Sequence, residues 1–266
     1  MIHRTACLSL LALVASPALA DSFDCLMDPA EIVRLGSPVA GLLEEVSVSR
    51  GDAVEAGQVV ARLSSAVEQS TVDLLATRAA STDVIDAQRR QLEMIDKRYA
   101  RIETLRQRGV ATEEAFDQVE AERIAAQSLL IQAELNRDIA LKELTRAEIA
   151  LGERAITSPV DGIVSDRVLT AGEYVGSSDH VLEIVQLDPL KIEAFLPVAM
   201  FGSVSVGDSA VVRPAAPLDG AFPAVVTSVD RVFDAASATF VVVLGLPNPD
   251  GELPAGHRCT LEIAGG

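Results

Sequence analysis

Few side chains in this sequence are placed to do chemistry. Past the first 20 residues two cysteines remain, Cys25 and Cys259. In an oxidising compartment an even pair invites a disulfide, which would tie the start of the mature chain to its last strand. Two separate buried thiols are the other reading. His180 and His257 stand alone in turn-like segments, with no Ser-His-Asp order or Gly-x-Ser-x-Gly elbow to build a nucleophile around. Cys and His never fall at metal-ligating spacing. Met27, Met94 and Met200 are the only mature methionines, too few for a soft-metal capture site. No glycine-rich turn joins a strand to a helix as a phosphate cradle requires. The expectation is a non-enzymatic protein with no cofactor, whose function lies in its shape and surfaces.

The ends and the charge narrow the setting. His3 and Arg4 precede a short apolar run from Cys7 to Val14, and Ala18-Leu19-Ala20 forms a small-x-small cleavage site before Asp21. Residues 1–20 are therefore assigned as a secretory signal, because the run is well below the ~20 residues a membrane span needs. Cys7 lacks the preceding apolar stretch of a lipoprotein cysteine. Removing one arginine and no acid takes the formal charge from −17 to −18. So acidic a chain, with no Trp, is a poor partner for nucleic acid, whose phosphates need Lys and Arg.

The elements that must position any working surface fall into three textures. A motif is written twice, at an offset of 121 residues. Ser37-Pro38-Val39-Ala40-Gly41 leads to Gly51-Asp52-Ala53-Val54. Ser158-Pro159-Val160-Asp161-Gly162 leads to Gly172-Glu173-Tyr174-Val175. Each copy closes on an apolar strand, and each alone is too short to bury a core. Between them, residues 66–155 are rich in strong helix formers, without proline and broken at Gly109. Ile85, Leu92, Ile95, Tyr99 and Ile102 make a coiled-coil seam, with Gln88 as a polar interruption. The returning arm offers two registers. One runs through Phe116, Val119, Ala126, Leu130, Ala133, Ala140, Leu144, Ala147 and Leu151, interrupted by Arg123 and Arg137; the other runs through Ile124, Ile131 and Leu135. Gly109 is a helix C-cap candidate and Thr112 an N-cap, which predicts an antiparallel hairpin with arms of roughly 40 residues. From residue 188 onward, short strands separated by Pro, Gly and Asp predict a small antiparallel β-barrel.

Together these parts resemble the periplasmic adaptor proteins, or membrane fusion proteins of the HlyD type. Pro38, Gly41, Gly51 and Gly57, with Pro159, Gly162 and Gly172, match the turns of their lipoyl-like domain in its two halves. Val206-Gly207-Asp208, Val229-Asp230 with Asp234-x-x-Ser237-x-Thr239, and Asn248-Pro249 with Leu253-Pro254-x-Gly256 resemble their barrel. The resemblance implies an elongated, multidomain α+β protein: a lipoyl-like β-sandwich (31–65 plus 156–187) split by an α-helical coiled-coil hairpin (66–155), then a β-barrel (188–266). No membrane-proximal domain is evident. A lipoyl carrier is not expected, because no modifiable Lys stands where the two halves meet.

The same resemblance implies a place in a tripartite export pump of a Gram-negative periplasm. The partners would be an inner-membrane transporter of the resistance-nodulation-division type, a TolC-like outer-membrane channel and further copies of the chain in a trimeric or hexameric ring. Adaptors that dock on such channels carry Arg, then Leu four residues on, then Ser seven further, at the hairpin tip. Arg101, Leu105 and Thr112 hold that spacing, with Thr in place of Ser. Alternatives are an adaptor of an ABC-type exporter, or a periplasmic coiled-coil scaffold or regulatory protein that reuses the fold.

Overall fold

A computed structural model describes residues 22–263. The signal assigned to residues 1–20 lies outside the described residues. Two compact units are present, one spanning Arg34–Ile184 and one combining the segment up to Val33 with Val185 onward.

The first unit is built on two four-stranded sheets. Its first-copy strands are β2 (Glu31–Gly36), β3 (Gly41–Val46), β4 (Ala53–Val54) and β5 (Val59–Leu63). The second copy supplies β6 (Ala155–Thr157), β7 (Gly162–Arg167), β8 (Tyr174–Val175) and β9 (His180–Gln186). The sheet orders are β2-β9-β7-β4 and β6-β5-β3-β8, so each sheet draws two strands from each copy. The exchange is reciprocal. Gly51 N donates to Val164 O, and 121 residues on Gly172 N donates to Leu43 O, at 2.9 and 2.8 Å. Both glycines sit at positive φ, +93° and +91°, a conformation that side chains with a Cβ resist. Equivalent positions also share the core: Leu43 with Val164, Val54 with Val175, Val60 with Val181 and Leu63 with Ile184 are all at most 3% exposed. Neither half can supply this core alone.

The helical insertion leaves after Leu63 as α1 (Ala66–Ala80) and α2 (Asp83–Gln107), and returns as α3 (Glu113–Gly152). The outgoing arm is thus two helices, where the sequence suggested one. Ser81 is extended (ψ 122°) and Asp83 and Asp86 open the new helix, complementing its N-terminal dipole. The Thr82 hydroxyl donates to the Asp86 carboxylate at 3.1 Å instead of capping a backbone amide. In α3, 40 residues long and hence roughly 60 Å, the structure selects the first register. Phe116, Val119, Ala126, Ala133, Ala140 and Ala147 are buried. Ile124, Ile131 and Leu135 face out, 50–60% exposed. Alanines at a seven-residue repeat let the arms approach closely.

Arg154 roots the hairpin in the sandwich. Its guanidinium pairs with Glu68 at 2.6 Å, and its carbonyl accepts Leu63 N at 2.8 Å. Gly41 packs closely beside it: a Cβ there would lie 3.0 Å from Arg154 Nη1 and 3.2 Å from Leu63 Cδ1, so these side chains would have to give by a few tenths of an ångström.

The second unit is a closed barrel in the order β1-β10-β13-β12-β11-β14. Its strands are β1 (Ser22–Asp28), β10 (Leu190–Pro197), β11 (Ser209–Pro214), β12 (Phe222–Val229), β13 (Thr239–Leu246) and β14 (His257–Ile263). Strand β1 extends the barrel beyond its expected range of 188–266. It bridges β10 and β14, which would otherwise be open edges. Its signal is the alternation Phe23, Cys25, Met27, too short to stand out beside the signal segment. Cys25 and Cys259 lie opposite each other in the β1–β14 ladder, with Cα atoms 4.8 Å apart, and are joined by a disulfide.

Candidate functional site at the hairpin apex

The apex begins where α2 stops. Gly109 takes φ +71°, and its N–H donates to Arg106 O at 2.8 Å. Val110 N and Ala111 N both donate to Leu105 O, at 2.9 and 3.3 Å. Thr112 then opens α3: its Oγ1 accepts Ala115 N at 3.2 Å, and Glu113 and Glu114 fill the first turn.

Arg101, Leu105 and Thr112 therefore hold distinct positions around one turn. Arg101 and Leu105, four residues apart, share a face of α2, and Arg108 continues it at the next turn. Arg101 is exposed and forms no ion pair among the described residues. Leu105 is half-buried and Val110 beside it is 72% exposed. The Thr112 hydroxyl already accepts from the helix it caps, so its proton is what it has left to donate outward. An exposed guanidinium, an apolar contact and a hydroxyl donor suit a partner surface rich in carbonyls and carboxylates.

Behind this surface lies a support that the sequence reading missed. Arg106 stacks over the Phe116 ring at 3.7 Å and pairs with Glu113 at 2.8 Å. Phe116 packs on Tyr99 at 5.3 Å, and Arg123 lies 4.8 Å from the Tyr99 ring centre. Arg123 bonds Asp96 at 2.7 Å, which raises its pKa further above its ordinary value. These cations and rings cross-brace the last turns of both arms. Tyr99 and Phe116 were legible as seam residues; their stacking on Arg106 and Arg123 depends on the register between the arms.

The other singled-out residues are structural. Pro38 and Pro159 sit in paired turns, where Ser37 and Ser158 donate to Val39 O and Val160 O, both at 2.6 Å. Gly41 pairs with Val175, and Gly162 with Val54. Gly57 N donates to Ser158 O at 2.7 Å. Cys25 and Cys259, joined by their disulfide, belong to the barrel unit.

A barrel-sandwich hybrid cut open by a helical hairpin and joined to a closed barrel is the architecture of membrane fusion proteins. The chain belongs to the CzcB-like barrel-sandwich hybrid domain family, whose model matches residues 31–186. Among curated relatives, nodulation protein NolF of Rhizobium meliloti (strain 1021) is 24% identical over 230 residues, covering 86% of this chain and 59% of the relative. Nickel-cobalt-cadmium resistance protein NccB of Alcaligenes xylosoxydans xylosoxydans is 28% identical over 216 residues, covering 80% and 50%. The chain thus spans little more than half the length of these relatives. In fold it is similar to MacA from Actinobacillus actinomycetemcomitans, with a TM-score of 0.74 at 20% identity over 92% of this chain and 78% of that one. It is also similar to the membrane fusion protein Spr0693 from Streptococcus pneumoniae R6, with a TM-score of 0.62 at 16% identity over 92% and 99%.

Proposed function

We propose that the chain is a periplasmic adaptor of an export pump, joining an inner-membrane transporter of the resistance-nodulation-division type to a TolC-like outer-membrane channel. The observation that carries this reading is the braced hairpin apex, which presents Arg101, Leu105 and Thr112 at the far end of a 40-residue helix. The hairpin leaves the sandwich through its middle, so the sandwich serves as a fixed base. Copies associate side by side into a ring through which cargo passes. The outer face of α3 supports this: Ile124, Ile131 and Leu135 are 60%, 57% and 50% exposed on the side away from the seam. A ring whose hairpins all point one way needs a heterologous interface.

An Arg101→Glu substitution is expected to abolish efflux at unchanged protein level, and unchanged resistance would sink the apex assignment. A Leu105→Cys variant is expected to cross-link to a co-expressed channel. Failure to do so by a folded, ring-forming protein counts against docking.

A further inference from the structure

Below the apex, the two arms of the hairpin turn oppositely charged faces outward. On α2 the stripe opposite the seam runs through Arg90, Met94, Lys97, Arg101 and Arg108. All five are exposed, Met94 by 65%. Arg90, Arg101 and Arg108 form no ion pair among the described residues. The acids nearest them are engaged elsewhere: Glu93 holds Lys97 at 2.7 Å, and Glu103 adds to the field on Arg123 of the other arm. On α3 the stripe opposite the buried alanines runs through Glu114, Asp117, Ile124, Ile131 and Leu135. Glu114 and Asp117 are exposed, as is Glu120 at the margin, and none of the three has an ion-pair partner among the described residues. Between Glu113 and Leu135 the sole cation is Arg123, which turns to Asp96 and Tyr99 on α2.

Ion pairs within the hairpin fix which residues share a height. Arg106 meets Glu113, Arg98 meets Glu122 and Arg89 meets Glu134, at 2.8, 2.7 and 3.6 Å. Arg108 is therefore level with the start of α3 near Glu114, and Arg101 with the turn after Asp117. Met94 falls between the heights of Ile124 and Ile131. Copies related by one rotation axis keep the same height, so hairpins running along that axis bring these levels together. With α3 of one copy against α2 of the next, carboxylates face free guanidiniums near the apex, and Ile124 and Ile131 flank Met94 below them. With α3 against α3, or α2 against α2, hairpins pointing the same way set like charges together. The match ends below Leu135, where Asp83 and Asp138 come level with the same sign.

We infer that the outer face of α3 from Glu114 to Leu135 seats the α2 of a second copy, from Arg90 to Arg108, so that charge sets the order in which copies join. This rests on the ring of the adaptor reading and adds which helices meet and what keeps the contact head-to-tail.

The test uses the full chain in cells that also express its transporter and channel, with a short bismaleimide as the probe. Met94→Cys and Ile124→Cys are combined in one chain; they lie on opposite outer faces of a hairpin, so the reagent joins them only between copies. A ladder of covalent oligomers is expected, ending at the size of the ring, whereas either single variant should stay monomeric. Asp117→Lys in the double-cysteine chain should lower the ladder yield about 5-fold, the scale of one or two exposed ion pairs. Arg101 is left unchanged because it also belongs to the apex surface, and circular dichroism checks that each variant folds. Dimers of Ile124→Cys alone overturn the proposal in favour of an α3–α3 contact. No ladder from the double variant, while efflux and lysine cross-linking between copies persist, overturns it and leaves the adaptor reading standing. A wild-type chain that neither supports efflux nor cross-links to further copies overturns both.

Discussion

Phe116 sits between Tyr99 and Arg106, so a single truncation removes both stacks. Phe116→Ala is expected to destabilise the hairpin by ~3 kcal/mol, from lost burial and the cavity left behind. Circular dichroism at 222 nm would show it as a lower melting midpoint. Arg106→Lys keeps a cation for Glu113 but loses the planar stack, and should cost under ~1 kcal/mol. A different residue sets an acid limit on the barrel loop. The amide of Ala236, with the Ser237 hydroxyl, holds the Asp234 carboxyl below its ordinary value of 3.8. A depressed carboxylate contributes stability above the unfolded pKa and loses it as pH falls through the folded one. The loop should therefore keep its geometry at neutral pH and loosen only below about pH 4; amide chemical shifts of Ala236 and Ser237 that move near pH 6 would contradict this. Thr112 was legible as a cap because its hydroxyl acts three residues along the chain. Arg106 was not, because its partners lie on the other arm.

Gln88 and Arg137 interrupt the seam between the arms, and each buries a polar atom, Gln88 Oε1 and Arg137 Nε, with no hydrogen-bond partner. Replacing both with Leu is expected to stabilise the hairpin by roughly 1 kcal/mol, since apolar groups there leave no donor or acceptor stranded. A double variant that melts lower than the wild type would show that the two atoms are satisfied in solution. Hydrophobic period alone could not choose between the two stripes of α3, because both repeat every seven residues. Side-chain size makes the choice: alanines permit close helix approach, while Ile124 and Ile131 would hold the arms apart. The break at Ser81-Thr82 was legible in principle, as hydroxyl residues followed by Asp83 are a helix-start pattern. Strong helix formers on either side masked it.

The two units differ in how their long-range pairings showed themselves. The sandwich was readable across its insertion because its halves repeat at a fixed offset, and the repeat survives in the turns, Gly51 with Gly172. The barrel has no such echo; β1 meets β14 across a separation of 234 residues between the bonded cysteines. A crosslink closing so long a loop restricts the unfolded chain strongly. Cys25→Ser with Cys259→Ser should lower barrel stability by about 4 kcal/mol, read by calorimetry against the oxidised protein. An unchanged barrel transition would show that the ladder alone holds β1. The reciprocal strand exchange also dictates a timetable. A ribosome delivers β2 to β5 first, yet their second-copy sheet partners follow only after some 90 residues of helix, and β1, which pairs with β10, gains its other neighbour only with the last strand, β14. Until residue 163 is made β4 lacks its partner, and until residue 175 one edge of β3 stays open, so the hairpin grows from an unfinished base. Cutting the gene between the two copies is therefore expected to yield two fragments that fold only when expressed together, read by circular dichroism of each fragment alone and of the pair.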